Sequence, residues 1–148
     1  MTNYIKYGLL TSLALIIYFL SMKFFGLEKN FYLRFLNFLI LIVAIFLLIK
    51  KEMKKPEATY FSTLINGISM TVVTVLTFLL FLAVYIKVFD PSFIEVMEAS
   101  KIWGNELSVA QASIAIFIEG MASGLVITFA WLQYFKNSFT KVKTNGAG

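Results

Sequence analysis

Apolar residues run almost without interruption through four stretches of the chain, and charges bracket each stretch. A helix that crosses the ~30 Å hydrocarbon core of a bilayer needs ~20 mostly apolar residues. The first stretch lies between Lys6 and Lys23. A lysine near a helix end can carry its ammonium back to the interface, so the predicted span is 4–25. The second lies between Arg34 and Lys50 and extends by the same reasoning to 31–49. The third is uncharged from Ala58 to Ile86, and the fourth, 107–135, encloses a single acid, Glu119. These runs are continuously apolar and do not alternate, which argues against membrane-spanning β-strands. Only Lys6 precedes the first run as a basic residue, and no small-x-small site follows at 21–25, so it reads as a retained span. The pattern predicts an all-α membrane protein, one membrane domain over 1–148 with four transmembrane helices.

The loop from Lys87 to Glu106 carries a pattern of its own. Asp90 can cap a helix that has Pro91 at its first position, and Ser92 with Glu95 extends the cap signal. Phe93, Ile94, Met97 and Trp103 supply an apolar side; Glu95, Glu98 and Lys101 supply a polar one. A short amphipathic helix over 91–103 is expected in this outer loop, on the leaflet surface or capping the bundle, broken by Gly104 and Asn105. The small, polar residues 144–148 are expected to fray.

Composition sharpens this picture. The chain is 59% hydrophobic and only 14% charged, with a mean hydropathy of +0.83. Soluble domains average ~25% charged residues, so a soluble globular fold is excluded, as is a disordered tail. Histidine and cysteine are absent, which removes His- or Cys-ligated zinc, haem, iron–sulfur clusters and thiol or Ser-His-Asp nucleophiles. No cofactor is expected. The net charge of +5 comes without a basic stripe among exposed aromatics, so no nucleic-acid partner is expected. The excess speaks instead to orientation. With the N-terminus cytoplasmic, the inner side holds eight Lys or Arg and the outer side five, and residues 50–55 alone hold four lysines. Both termini are therefore expected in the cytoplasm. The same lysines attract anionic lipid at ~1 kcal/mol each near the surface, or serve as a topology signal alone.

Candidate chemistry concentrates in the last two spans. At about 100° per residue, Ser108, Ala112, Ala115, Ser123, Val126, Ala130 and Gln133 share the side of Glu119, while Ile114, Met121, Leu125, Phe129 and Leu132 fall opposite. One face is thus small and polar, the other bulky and suited to lipid. Gly120 and Gly124 form a GxxxG on the flank of the small face, which serves packing within the chain or homodimerisation. In the third span, Thr63, Asn66, Gly67, Met70, Thr74 and Thr77 share one side, with Thr71 at its edge. Glu119 lies 12 residues in from Leu107, and 12 residues in from Ile86 is Thr74, so the two faces are expected to meet at that depth. Three resolutions stand open for the Glu119 carboxyl: protonated and bonded to Thr74 or Thr71, facing a water-filled cavity as a proton or cation site, or paired with a cation on another chain. Asn66 reads as a hydrogen bond across helices. In the outer loop, Glu95 and Glu98 lie three apart on one helix side, but neither DxxD nor DxD spacing nor a phosphate clamp accompanies them. They read as a solvated face, and the chain as a non-enzyme.

Several local sequences resemble a known family. Lys6, Tyr7, Gly8 and Leu9 lead into the first span, and the second ends in Ile49, Lys50 and Lys51. Thr59, Tyr60, Phe61 and Ser62 precede Gly67 in the third, which exits through Tyr85, Ile86, Lys87, Val88, Phe89, Asp90, Pro91, Ser92 and Phe93. The order resembles the small four-helix membrane proteins of Bacteroidota known as domain of unknown function four-one-nine-nine. The likeness covers residues 6–97 by pattern and the last span in character only; the Asp-Pro exit is its most specific part. It implies a bacterial cytoplasmic (inner) membrane location and supplies no activity or catalytic residue. The function expected from the residues is a non-enzymatic scaffold or accessory subunit acting through helix–helix contacts, as a homo-oligomer or in a larger complex. The alternative is a small proton- or cation-coupled transporter or channel subunit using Glu119.

Overall fold

The computed structural model describes residues 3–27, 32, 35–89 and 109–146. Among the described residues it is all-helical, with four helices: α1 (Asn3–Phe24), α2 (Phe35–Glu52), α3 (Tyr60–Val88) and α4 (Val109–Gly146). Three of them contain a stretch long and apolar enough to cross a membrane, Asn3–Phe24, Tyr60–Val88 and Ser113–Phe139. In α2, Lys50, Lys51 and Glu52 close the helix. Residues 35–49 make about 22 Å of helix at ~1.5 Å per residue, short of the ~30 Å core. The expected interfacial helix 91–103, with its Asp90 cap and with Glu95 and Glu98, lies outside the described residues, as does the start of the expected second span.

Local signals set the helix ends. α1 stops where Gly26 adopts φ +68°, a left-handed conformation that glycine adopts without a Cβ penalty. There Leu27 N donates to Met22 O at 2.9 Å and Gly26 N to Lys23 O at 3.0 Å, the paired bonds of a glycine-terminated helix. α3 starts at Tyr60 because Thr59 caps it. Ser62 N donates to Thr59 Oγ1 and Thr59 N donates to Ser62 Oγ, both at 3.1 Å, so two orphan donors are satisfied reciprocally. α4 overruns the expected end at 135. Residues 144–146, expected to fray, are helical, and 147–148 lie outside the described residues. Phe139 explains part of the extension: it packs on the core and meets the Tyr60 ring edge-on at 6.0 Å.

Side-chain contacts give the topology. Asn3 meets Glu52, Phe19 meets Phe78, Phe81 and Tyr85, and Gly67 meets Thr128. α1 and α3 therefore run parallel, with α2 and α4 antiparallel to them, in an up-down-up-down bundle. α3 packs most extensively, against α1 on one side and α4 on the other. A core of Leu41, Ile45, Leu48, Ile49, Met70 and Leu132 fills the half nearer the α2–α3 hairpin. In the other half α1 and α3 are joined by rings, Phe19 standing edge-on to Tyr85 at 5.3 Å. Leu10, Ile17, Leu39, Leu80, Val84, Ile118 and Val126 point outward, as surface against acyl chains should.

Candidate functional site

Two polar sites lie in or beside the bundle, and only one of them contains Glu119. The α3–α4 contact comes first because it sets the phase of both helices. Gly67 lies under Thr128, Gly124 under Thr71 and Gly120 under Val75. The pairs step by four residues in opposite directions, so each β-branched side chain drops onto a glycine one turn from the next. A Cβ on Gly120 would come within 2.6 Å of Val75 Cγ2. α1 repeats the device, since a Cβ on Gly8 would lie 2.8 Å from Val73 Cβ. In lipid no hydrophobic force drives helices together, and this close approach of backbones supplies the dispersion contact instead.

That register corrects the expected meeting of faces. It brings residue 119 level with Leu76, not Thr74, and the inward line of α4 is Gly120, Gly124, Thr128 and Leu132, one residue round from Glu119. Leu132, expected on the lipid side, is fully buried. Glu119, Ala115 and Ser123 are half-buried, and Ala130 and Val126 are exposed. Ala112 lies in the first turns of α4.

The hydroxyls expected around Glu119 bond elsewhere. Thr74 Oγ1 donates to Met70 O at 2.9 Å and to Gly8 O of α1 at 3.2 Å, and Thr71 Oγ1 donates to Gly67 O at 3.0 Å. Ser123 Oγ donates to the main-chain oxygen of Glu119 at 2.7 Å. A hydroxyl that returns to the carbonyl one turn back meets its own demand inside its helix, so a polar stripe can sit in a span at little cost. Ser12 Oγ and Thr128 Oγ1 are buried with no partner in the structure. For Ser12 the carbonyl one turn back is that of Gly8, which already accepts Thr74.

The second site was not singled out from the sequence. Glu52, at the end of α2, is 4% exposed and gathers three donors. Asn3 Nδ2 of α1 donates to Oε1 at 2.8 Å; Asn66 Nδ2 of α3 and Lys55 Nζ of the hairpin donate to Oε2 at 2.8 Å and 2.9 Å. One carboxylate thus ties α1, α2, α3 and the hairpin at a single point. Burial by itself pushes the Glu52 carboxyl up. The Lys55 ammonium, through its hydrogen bond and its charge, and the Asn3 and Asn66 amides outweigh that and hold it below the ordinary carboxylate range. A signal for it does exist in the sequence. Asn3 and Asn66 are amides at otherwise apolar positions, and Glu52 is a lone acid among four lysines.

Aromatic side chains surround this end. Trp131 Nε1 donates to Ile42 O at 3.1 Å and its ring lies 4.7 Å from that of Phe46, while Gln133 Nε2 donates to Tyr60 Oη at 2.9 Å. Among the described residues no group of three or more acidic, histidine or cysteine side chains could hold a metal ion. No family model matches this chain, and neither a curated protein nor a solved structure matches it.

Proposed function

We propose that the protein is a scaffold or accessory subunit of a bacterial cytoplasmic membrane, without catalytic activity, which works by offering a helix face to a neighbouring membrane helix. In this reading α2 is the fourth crossing, and both termini are cytoplasmic. The lysine excess at the hairpin end supports that orientation, and the three long apolar helices support the membrane.

One observation carries the proposal. α4 spends its Gly120–Gly124–Thr128 line on α3 and turns a second small face away from it, with Ala122 and Ala130 exposed and Glu119, Ala115 and Ser123 half-buried. Small side chains with an acid, inside a span, are suited to close helix–helix contact through packing and hydrogen bonds. The partner is a second copy or another membrane protein whose helix packs against this face.

A photo-crosslinker at position 122, in native membranes, is expected to capture a membrane protein, and Glu119→Gln is expected to weaken that capture several-fold. A strictly monomeric protein that captures nothing at 122 or 130 defeats this reading. The transporter alternative draws on the same half-buried carboxyl and makes a different forecast, since Glu119→Gln in liposomes would then abolish cation flux or its pH dependence.

A further inference from the structure

The hairpin end of the bundle combines charge, exposure and an aromatic floor in a way that the helix-contact reading does not use. Lys6, Lys50, Lys51 and Lys54 are all exposed there. The contacts of α1 with α2 hold them together: Asn3 reaches Glu52, and Lys51 Nζ stands 5.6 Å above the Tyr7 ring. Lys50 Nζ lies 5.8 Å above the Phe46 ring, which packs on Trp131. These two stems therefore lie along aromatic side chains, and Tyr7 with the Trp131 that packs on Phe46 is of the kind that settles at the membrane interface. In the orientation proposed above, the ammonium groups over these rings would lie in the interfacial layer, within reach of lipid phosphates. The acids do not cancel them. Among the described residues this end carries only Glu52 and Glu57, and Glu52 is buried with its charge met by Lys55. At the opposite end the described residues include Lys23, half-buried over the Tyr85 ring, and Lys87.

We propose that Lys6, Lys50, Lys51 and Lys54 form a binding surface for the phosphate headgroups of anionic phospholipids in the leaflet that adjoins the α2–α3 hairpin. The surface is pre-formed, because the buried Glu52 junction fixes the N-terminus of α1 against the end of α2 and so fixes the lysines relative to one another.

Trp131 reports on this surface, since it sits one turn below Lys50 through Phe46. The chain has two tryptophans, so Trp103→Phe isolates it. The full-length Trp103→Phe protein is reconstituted in phosphatidylcholine vesicles in which either phosphatidylglycerol or phosphatidylcholine carries bromine near the glycerol. Brominated phosphatidylglycerol is expected to quench Trp131 more strongly than brominated phosphatidylcholine at equal mole fraction. The binding preference is expected to fall about fivefold for each lysine neutralised at low salt and to shrink as ionic strength rises. The combined variant K50Q/K51Q/K54Q should lose the preference, while K50R/K51R/K54R and K23Q/K87Q should keep it. Equal quenching by the two lipids overturns the proposal, as does an unchanged preference in the glutamine variant or its loss in the arginine variant. Binding of soluble polyglutamate without any lipid preference would assign the surface to an acidic protein and overturn it equally.

Discussion

At the scale of single residues, the most consequential side chain is Glu52, a buried carboxylate that three elements converge on. Hydrogen bonds to a charged group contribute ~1.5–3 kcal/mol each, and leaving buried donors unpaired costs as much. Glu52→Gln keeps the shape but offers one acceptor oxygen where two served, and its amide nitrogen then faces the amide of Asn3 or Asn66. We expect a loss of ~1–3 kcal/mol, measured by reversible unfolding in mixed micelles. Acidity should act on the same group. The folded pKa of Glu52 is lowered, so its contribution is present above the unfolded carboxylate value of about 4.3 and is lost as pH falls below that value toward the folded one. The mid-point of unfolding should therefore drop in acid for the native chain, with less change for Glu52→Gln. Sequence reading passed over this residue because a glutamate after two lysines looks like a solvated helix end. Only the return of α1 and α3 to the same point gives the carboxylate its donors.

At the scale of elements, sequence pattern names the packing glycines Gly67, Gly120 and Gly124 but centres the inward face of α4 on Glu119, one residue away from the line those glycines form. A helix with small residues on two adjoining stripes has two plausible inward faces. The Glu119–Ala115–Ala130 stripe and the Gly120–Gly124–Thr128 stripe differ by one residue, about 100° of rotation. Glycine decides between them, because only glycine admits the Thr71 and Val75 side chains at the observed backbone approach. The consequence is testable. Gly124→Ala puts a methyl where the buried Thr71 side chain already stands, and Thr71 cannot turn away without giving up its bond to Gly67 O. Overpacking of this kind costs ~1–3 kcal/mol. Adding Thr71→Ala should restore only part of that stability, because the Cβ of residue 71 still stands 2.8 Å from the new methyl, and a double-mutant cycle on thermal unfolding measures the coupling. Additive losses would show that the two residues do not share the contact.

At the scale of the whole molecule, four helices fold up and down about a central α3, with the packed core and the buried carboxylate at one end. That end also carries the hairpin lysines, so rigidity and positive charge coincide. The orientation we propose follows from the charge distribution and can be read without disturbing any native thiol, since the chain has no cysteine. A single cysteine at position 56 or 137 should resist a membrane-impermeant maleimide in intact cells and react after permeabilisation. A cysteine at position 27, exposed just past the end of α1, should react in both. Labelling of position 56 in intact cells would reverse the orientation.

Much of the architecture was legible in the chain itself. Long uninterrupted apolar runs admit few solutions in lipid, where every main-chain donor must be satisfied within its own segment, so helices near 4–25, 58–86 and 107–135 followed from hydropathy alone. Asn66 announced a bond across helices, which it makes to Glu52. Tertiary structure alone decided which stripe of α4 faces α3, that Thr74 serves α1 and not Glu119, and that Glu52 is a junction. Each of these depends on the distance and rotation between helices, which are set by how side chains of one helix fill the gaps of another, and such fit is a property of pairs of surfaces that no single segment encodes.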